Sequence, residues 1–285
     1  MTTAAARPED HFVDVGGLRT RYVEQGRGPA VIFLHGGSLG SSADVFLRNL
    51  PAFAAEGFRA IAYDQPGFGL TDTPTDHSLR LRREHVLGFM DALGLGEAAL
   101  VAHSQAGAMG VQLALAEPSR ITHLAVLGTG SLLPPQEAAR DGMEGAAQQR
   151  LERRMAVHEP TIEDTRKLLE ANLFHHDLIT PEELELRHAR SVGACFEAFV
   201  ARSSSPAPAP KDPGATPLWQ RLVEVRQPLL LIYGRNDRGN ALERATKLKE
   251  LAPQLDLHLV ADCKHLVPWD AQHEVDKLTT QFLKR

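Results

Sequence analysis

Short apolar runs alternate along most of the chain with longer segments of helical periodicity. This alternation is typical of a mostly parallel sheet whose strands are joined by crossover helices. The predicted strands are Arg19–Gln25, Ala30–Leu34, Arg59–Tyr63, Ala98–Ala102, His123–Leu127, Pro228–Tyr233 and Asp256–Val260. The pattern therefore predicts an α/β fold in which helices flank a mostly parallel central sheet.

The alternation stops after Gly128, and from Ser131 to about Ser205 the pattern is helical only. Helix starts are predicted where a Thr is followed three residues later by an acidic residue. This spacing occurs at Thr161 with Asp164 and at Thr180 with Glu183. The stretch therefore interrupts the strand pattern with helices of its own.

A segment of Ser, Pro and Ala, Ser203–Pro210, predicts a semi-rigid linker near the end of this helical stretch. Strand patterning resumes at Pro228. We therefore predict one α/β core formed by residues 1–130 and 213–285. Residues 131–212 are predicted to form a helical lid with a Pro/Ser linker, lying over the carboxyl edge of the sheet.

The composition is that of an ordinary globular chain, since 43% of its 285 residues are hydrophobic and 24% are charged. The net charge of −5 argues against a nucleic-acid partner, which normally requires a basic surface. The densest basic cluster, Arg80-Leu81-Arg82-Arg83, is interpreted as the solvated face of a helix. We therefore expect a small-molecule substrate and no nucleic acid, while homo-oligomerisation stays open.

Apolar runs and cysteine usage predict a cytoplasmic location. The longest apolar runs, such as Leu229–Tyr233, are far shorter than a membrane span, and Met1–Asp10 has no apolar stretch of signal-peptide length. Cys195 and Cys263 are far apart and lack C-x-x-C spacing, which favours a reducing compartment. No membrane association is expected.

Several predicted strands end at residues that can carry chemistry. These are His35-Gly36-Gly37 after Leu34, Asp64 after Tyr63, His103-Ser104 after Ala102, and Gly234-Arg235-Asn236-Asp237 after Tyr233. In an open parallel sheet, ligands bind beyond the carboxyl ends of the strands. We therefore expect these segments to lie close together.

Ser104 lies between a predicted strand and a helix that continues through Glu117. A Ser at such a turn is strained and exposed at the sheet edge, and only small residues fit two positions before and after it. Here Ala102 and Ala106 replace the glycines of the usual G-x-S-x-G pattern. Ser104 is therefore predicted to be a nucleophile, the alternative being that it only caps the helix.

A serine hydroxyl needs a base within hydrogen-bond reach, and the base needs a third group that orients it. In this architecture the order along the chain is Ser, then acid, then His. Asp237 and His265 both follow predicted strands downstream of Ser104. We predict Asp237 as the acid and His265 as the base.

The rival histidines and aspartates are assigned to other roles. His35 is expected to support its loop by hydrogen bonding, and His103, too close to Ser104 to act as its base, to face the pocket. Surface or lid positions are expected for His175, His176 and His188. Turn positions are expected for Asp64 and Asp262.

Acyl transfer also needs donors for the developing oxyanion, each worth roughly 2.7–4 kcal/mol. The backbone N–H groups of Gly37 and Gln105 are predicted to supply them. No histidine pair has ligand spacing with a nearby carboxylate on one helix face, and no G-x-G-x-x-G follows a strand. No metal and no cofactor are expected.

Together these motifs resemble the α/β-hydrolase family over almost the full length of the chain. The matching segments are Val31–Gly37, Asp64–Gly69, the turn at Ser104, Tyr233–Arg238 and Cys263–His265. Within the family, the chain is most similar to the meta-cleavage-product hydrolases, which cut a carbon–carbon bond of 2-hydroxy-6-oxo-hexa-2,4-dienoates in aromatic degradation. The features that carry this similarity are Gly-Arg-x-Asp-Arg at 234–238, Cys-x-His at 263–265, and Leu178-Ile179-Thr180 leading to Arg187.

The resemblance implies where a substrate would be held. That group's lid arginine, which contacts the substrate's carboxylate and dienolate, falls on Arg187. Further substrate contacts are expected at Ser38, His103 and Leu266. The chain departs from the group's pattern by having His103 and Val45 where Asn is usual and Leu266 where Trp is usual.

The resulting prediction is a serine-triad hydrolase that cleaves a bond next to a carbonyl. The favoured reaction is carbon–carbon cleavage of a meta-cleavage-type dienoate. A carboxylesterase or lactonase is the first alternative, because the replaced Asn and Trp positions favour a substrate without a dienoate. A ligand-binding homologue that retains the triad with negligible turnover is the second.

Overall fold

One β-sheet forms the centre of the fold. The computed structural model of the protein describes residues 7–136, 157–204 and 215–285. Within these residues, eight strands form one sheet in the order β1-β2-β4-β3-β5-β6-β7-β8. The strands are β1 (His11–Val15), β2 (Leu18–Gln25), β3 (Ala30–Leu34), β4 (Arg59–Tyr63), β5 (Ala98–His103), β6 (Ile121–Leu127), β7 (Leu229–Gly234) and β8 (Asp256–Val260). All neighbours from β4 to β8 pair in parallel, so the predicted fold class is confirmed.

The first strand, β1, was not predicted. It pairs antiparallel with β2, which in turn pairs antiparallel with β4. Gly16 and Gly17 connect β1 to β2 with φ of 61° and 87°, the left-handed backbone of a tight hairpin turn. The alternation of His11–Val15 and the Gly-Gly pair were a readable hairpin signal.

Helices cover both faces of the sheet. They are α1 (Leu50–Ala55), α2 (Leu79–Ala92), α3 (Gln105–Ala116), α4 (Ile162–Asn172), α5 (Pro181–Ala189), α6 (Ala194–Ser204), α7 (Ala241–Leu251), α8 (Val267–Asp270) and α9 (Gln272–Phe282). Successive strand residues point to opposite faces. Ile32 and Leu34 join the core under α2, α3 and α7, whereas Val31 and Phe33 join the core under α1 and α9. No helix in the described ranges is long and apolar enough to cross a bilayer.

The segment between β6 and β7 contains helices and no strand among its described residues. Thr161 and Asp164 form the predicted capping box, and the Thr180 side chain accepts from Glu183 N–H. Of the predicted linker, residues 205–210 lie outside the described residues. The division into core 1–130, lid 131–212 and core 213–285 stays a prediction.

A buried ion cluster joins this helical segment to the core. Arg21, fully buried on β2, pairs with Asp44 at 2.7 Å and with Asp64 at 3.2 Å. Arg190, just after α5, pairs with the second oxygen of Asp44 at 3.0 Å. Burial alone would lower the pKa of Arg21, but the adjacent carboxylates raise it. The cluster is thus a charge-balanced contact between α5 and the loops that follow β3 and β4.

Helix α3 lies unusually close to β6. A side chain on Gly107 would overlap Thr129 Oγ1 and would lie 2.7 Å from Val126 Cγ1. At Gly110, a Cβ would lie 2.9 Å from Leu124 Cδ1. Absence of a side chain at these positions lets the helix that begins at Gln105 pack against the sheet.

We expect Gly107→Ala to lower the free energy of unfolding by about 1–3 kcal/mol, because the methyl group must displace Thr129 or Val126. Urea denaturation followed by circular dichroism measures the change. The control is Gly96→Ala, where a Cβ meets nothing within 4 Å. Equal midpoints for the wild type and Gly107→Ala would contradict this packing.

Candidate active site

Ser104 occupies a strained turn between β5 and α3. Its φ of 56° and ψ of −125° are unusual for a residue with a side chain. The Ser104 N–H donates to Leu127 O at 2.8 Å, and Thr129 Oγ1 donates to Ser104 O at 2.7 Å. Ala102 and Ala106 are fully buried, as the small-residue requirement of the turn predicts. The surrounding backbone thus holds the strained conformation that presents the hydroxyl.

The structure brings the three predicted triad residues together. Ser104 Oγ lies 2.9 Å from His265 Nε2, and His265 Nδ1 lies 3.1 Å from each oxygen of Asp237. The hydroxyl therefore donates to Nε2 while Nδ1–H donates to the carboxylate. This is the arrangement in which an imidazole can accept a proton from serine and be stabilised by the acid behind it.

Asp237 is held as a carboxylate. Burial alone would raise its pKa, but His265 and the Arg238 N–H, which donates to Oδ1 at 2.7 Å, hold the pKa below its ordinary value. A lowered folded-state pKa contributes stability that is present at neutral pH and lost as the pH falls through that pKa. The acid is thus charged throughout the range where His265 would act as a base.

Contacts from the helical segment fix the loop that carries His265. Asp270 Oδ2 accepts from Lys264 N–H at 2.8 Å and also from Phe174 N–H at 2.9 Å. Leu266 N–H donates to Asn172 O at 2.9 Å. Asp270 was not predicted as a site residue, and its position on α8 carried no motif that would have identified it.

His103 has a structural partner, and its contact with substrate stays a prediction. We expected it to face the pocket and to help hold substrate charge, but its ring is buried and its Nε2–H donates to His265 O at 2.8 Å. Burial, and then the neighbouring His265, lower the pKa of His103 to about 3. A neutral ring cannot hold an anion as a cation would. His103 instead connects the residue before the nucleophile to the loop of the base.

The two predicted oxyanion donors flank Ser104. A Cβ on Gly36 would lie 3.0 Å from Ser104 Cβ, so the glycine backbone after β3 approaches the nucleophile closely. A side chain on Gly37 would overlap the Gln105 side chain. Gln105 is the first residue of α3, where a backbone N–H has no acceptor within the helix. Gly36 therefore lies against Ser104 and Gly37 against the Gln105 side chain, and the donor role of the two N–H groups stays a prediction.

Arg187 bonds to the loop after β3, which contains Ser38. Arg187 is buried on α5, and its Nη2 donates to Leu39 O at 2.9 Å and to Ser38 Oγ at 3.2 Å. Arg187 therefore lies beside the residues that follow Gly37. Leu266, the fourth predicted substrate contact, is 5% exposed and packs in the core with Val267.

The rival residues have structural partners. His35 is fully buried, with Nδ1–H donating to Gly36 O at 2.8 Å and Nε2 accepting from Gln65 N–H at 3.0 Å. Asp64 accepts from Ala43 N–H at 2.6 Å and pairs with Arg21. Asp262 is exposed in a turn with φ of 48°. The histidines of the segment between β6 and β7 are half-buried or exposed: His175, His176 and His188.

The interpretation of Arg80–Arg83 as a solvated face is wrong for Arg82, which is 3% exposed. Arg82 lies on the inner face of α2 with Val86 and Phe89, and its guanidinium donates to Gln65 and Gln105. Its spacing of four and seven residues from these apolar positions was the signal that could have identified it.

A cavity of about 1300 Å³ lies beside α7 and reaches Asp237 and His265. Ser104 is not among its described lining residues. The attacked carbonyl must lie against Ser104, so this cavity is not the place where that carbonyl would bind. In residues 7–136, 157–204 and 215–285, no group of His, Cys, Asp and Glu side chains could hold a metal ion.

Comparisons with known proteins show the family of this chain. A family model described as alpha/beta hydrolase fold matches residues 29–272. A 2-hydroxy-6-oxononadienedioate/2-hydroxy-6-oxononatrienedioate hydrolase of Burkholderia vietnamiensis is 31% identical, with 94% of this chain and 92% of that protein covered. A 2-hydroxy-6-oxo-6-phenylhexa-2,4-dienoate hydrolase of Burkholderia cepacia is 32% identical, with 99% of both covered. Among solved structures, a meta-cleavage product hydrolase from Pseudomonas fluorescens has a TM-score of 0.77 and 25% identity, covering 96% of this chain and 97% of that one.

We expect Asp237→Asn to lower kcat by about 10⁴-fold, because an amide cannot hold the imidazole in the tautomer that accepts the serine proton. Hydrolysis of a p-nitrophenyl ester measures the rate. Asp262→Asn is the matched control, since it makes the same chemical change on an exposed turn of the neighbouring loop, after β8. A kcat for Asp237→Asn within tenfold of the wild type would show that another group orients His265.

Proposed function

The chain belongs to the α/β-hydrolase family and is a hydrolase, and we propose that it cleaves a carbon–carbon bond of a meta-cleavage-type dienoate with Ser104, His265 and Asp237. The observation that carries the proposal is the aligned triad together with a buried arginine, Arg187, next to the oxyanion loop. The triad supplies attack on a carbonyl, and the arginine supplies a cation for an acidic substrate.

In the proposed reaction, His265 accepts the proton of Ser104, or of a water, as the oxygen attacks the carbonyl carbon. Asp237 stabilises the resulting imidazolium. The carbonyl oxygen becomes an oxyanion that accepts hydrogen bonds from the N–H groups of Gly37 and Gln105. The His265 imidazolium gives its proton to the leaving group. If Ser104 attacked, water then hydrolyses the acyl-enzyme, and in both routes the acyl portion leaves as a carboxylic acid.

A carbon leaving group requires one further step, because an unstabilised carbanion cannot depart. The dienoate must first ketonise, so that the departing carbon leaves as an enolate. Arg187 is the cation that would hold the substrate's carboxylate and this developing charge. Its attachment to Ser38 and Leu39 keeps it beside the oxyanion loop.

The names of the Burkholderia relatives support the substrate class. Both names describe a 2-hydroxy-6-oxo acid with at least two double bonds, and they differ in the rest of the molecule. We therefore restrict the proposal to the unit that both names contain. The proposed substrate is a small molecule, and the proposed reaction needs no cofactor.

An ester or lactone is the second candidate substrate. Val45 and Leu266, which replace the Asn and Trp usual in the meta-cleavage group, are apolar and buried, so they offer no side-chain hydrogen bond to a dienoate. An alkoxide leaving group needs only a proton from His265. The two candidates differ in whether Arg187 is required.

We also propose a cytoplasmic location. Cys195 and Cys263 are both free thiols, and Cys263 is buried next to the His265 loop. Burial raises the pKa of Cys263, so the thiol stays protonated and unreactive. A reducing compartment is compatible with both cysteines.

We expect the wild type to bleach a yellow meta-cleavage dienoate, and Arg187→Ala to lower kcat/KM for this substrate by about 10- to 100-fold. The reason is that a hydrogen bond to a charged group contributes about 1.5–3 kcal/mol. A neutral p-nitrophenyl ester forms no such charge pair, so its kcat/KM should fall by less than about threefold. Absorbance assays with both substrates measure the change. The control is Arg166→Ala on α4, which is 41% exposed. Ester turnover by the wild type without any bleaching would favour the esterase.

A further inference from the structure

Arg82 is a buried cation next to the proposed oxyanion site, and no part of the triad accounts for it. In the described part of the chain it pairs with no carboxylate. Its guanidinium instead donates to amide oxygens: Nε and Nη2 to Gln65 Oε1 at 2.9 Å and 2.6 Å, and Nη1 to Gln105 Oε1 at 2.6 Å. Burial lowers its pKa to about 10, so it stays charged at neutral pH. A buried charge without a counter-charge is costly, which points to a function.

The hydrogen bond from Arg82 to Gln105 reaches the donor at the start of α3. Gln105 supplies a backbone N–H donor, and its side-chain amide folds back over Gly37, the other donor. A Cβ on Gly37 would lie 3.1 Å from Gln105 Cδ and would overlap Oε1. The hydrogen bond from Arg82 Nη1 holds this amide in place.

The hydrogen bonds from Arg82 to Gln65 lead to the loop after β3, which carries Gly37. Gln65 Nε2 donates to His35 O at 2.5 Å, and Gln65 N–H donates to His35 Nε2 at 3.0 Å. His35 Nδ1–H then donates to Gly36 O at 2.8 Å. Burial, together with the cations Arg82, Arg187 and Arg202 around it, keeps the pKa of His35 well below its ordinary value. A neutral His35 therefore fixes the backbone immediately before Gly37.

We propose that Arg82 is a positioning residue of the oxyanion hole, which joins the Gly37 loop to the Gln105 turn and adds an uncompensated positive charge behind the oxyanion. The two donors lie on different elements, the loop after β3 and the first turn of α3. They can stabilise an oxyanion only if both N–H groups point at the same oxygen from hydrogen-bond distance. Arg82, from α2, is the side chain that bonds to both supports.

This inference rests on the proposed hydrolytic reaction but not on the identity of the substrate. An oxyanion forms during attack on an ester and on a dienoate ketone alike. Arg82→Gln should therefore lower kcat by about 10- to 100-fold on both substrates and change either KM by less than about threefold. A residue that bound the substrate's carboxylate would instead change KM for the dienoate alone.

The chain provides a matched control in the next residue. Arg83 Nη1 donates to Gln112 Oε1 at 3.1 Å, so it too links α2 to a glutamine of α3, at the surface and away from Gly37. Arg83→Gln should leave kcat for both substrates within about twofold of the wild type. Arg82→Lys should recover part of the activity, because it keeps the charge without bonding to both glutamines.

A double-mutant cycle tests the route through the Gln105 side chain. If Arg82 acts mainly through it, Arg82→Gln combined with Gln105→Ala should lower kcat no further than Arg82→Gln alone. The proposal is overturned if Arg82→Gln lowers only the thermal midpoint, if it raises only the dienoate KM, or if Arg82→Lys recovers nothing. Should the wild type turn over the ester and not the dienoate, the proposed substrate fails while the Arg82 comparison is still decided on the ester.

Discussion

The hydrogen bond of 2.9 Å between Ser104 Oγ and His265 Nε2 is the interaction on which the rest of the site depends. It joins groups separated by 161 positions in the chain, and it forms because β5 and β8 end at the same edge of a parallel sheet. Neither residue reaches this geometry alone. Leu127 and Thr129 hold the strained turn of the serine, and His103 holds the backbone of the histidine.

Charged side chains of opposite sign lie on opposite sides of the site. A carboxylate, Asp237, lies behind the base, while the buried cations Arg82 and Arg187 lie on the side of the oxyanion loop. During attack, positive charge develops on His265 and negative charge on the carbonyl oxygen. The fixed charges are therefore arranged to favour that transfer before a substrate binds, and in a desolvated site such an arrangement lowers the barrier.

The helical segment between β6 and β7 contacts both the loop after β3 and the loop that carries His265. Arg187 bonds to the loop after β3, and Asn172 accepts from the backbone of Leu266, next to the base. Arg190 pairs with Asp44 beneath this loop. The segment is therefore bonded to both sides of the site.

Patterns in the sequence predicted seven strands of the sheet and the triad, because strand ends and the turn at Ser104 are visible within a few residues and the chain order Ser, acid, His is typical of this architecture. The positions of Ala30–Leu34 and Asp256–Val260 agree with the structure. The burial of Arg82 and the hydrogen bond from His103 to the His265 backbone were not predicted. Each depends on which polar group lies across the fold, and that is fixed by tertiary packing and not by neighbours in the chain.

The central claim is that Ser104 is activated by His265, and stoichiometric labelling tests it most directly. After incubation with a fluorophosphonate, intact-mass spectrometry and peptide mapping should find one adduct per chain, on Ser104. Labelling should slow at least 100-fold in His265→Ala. An adduct on another residue, or equal labelling of Ser104 with and without the His265 imidazole, would contradict the account.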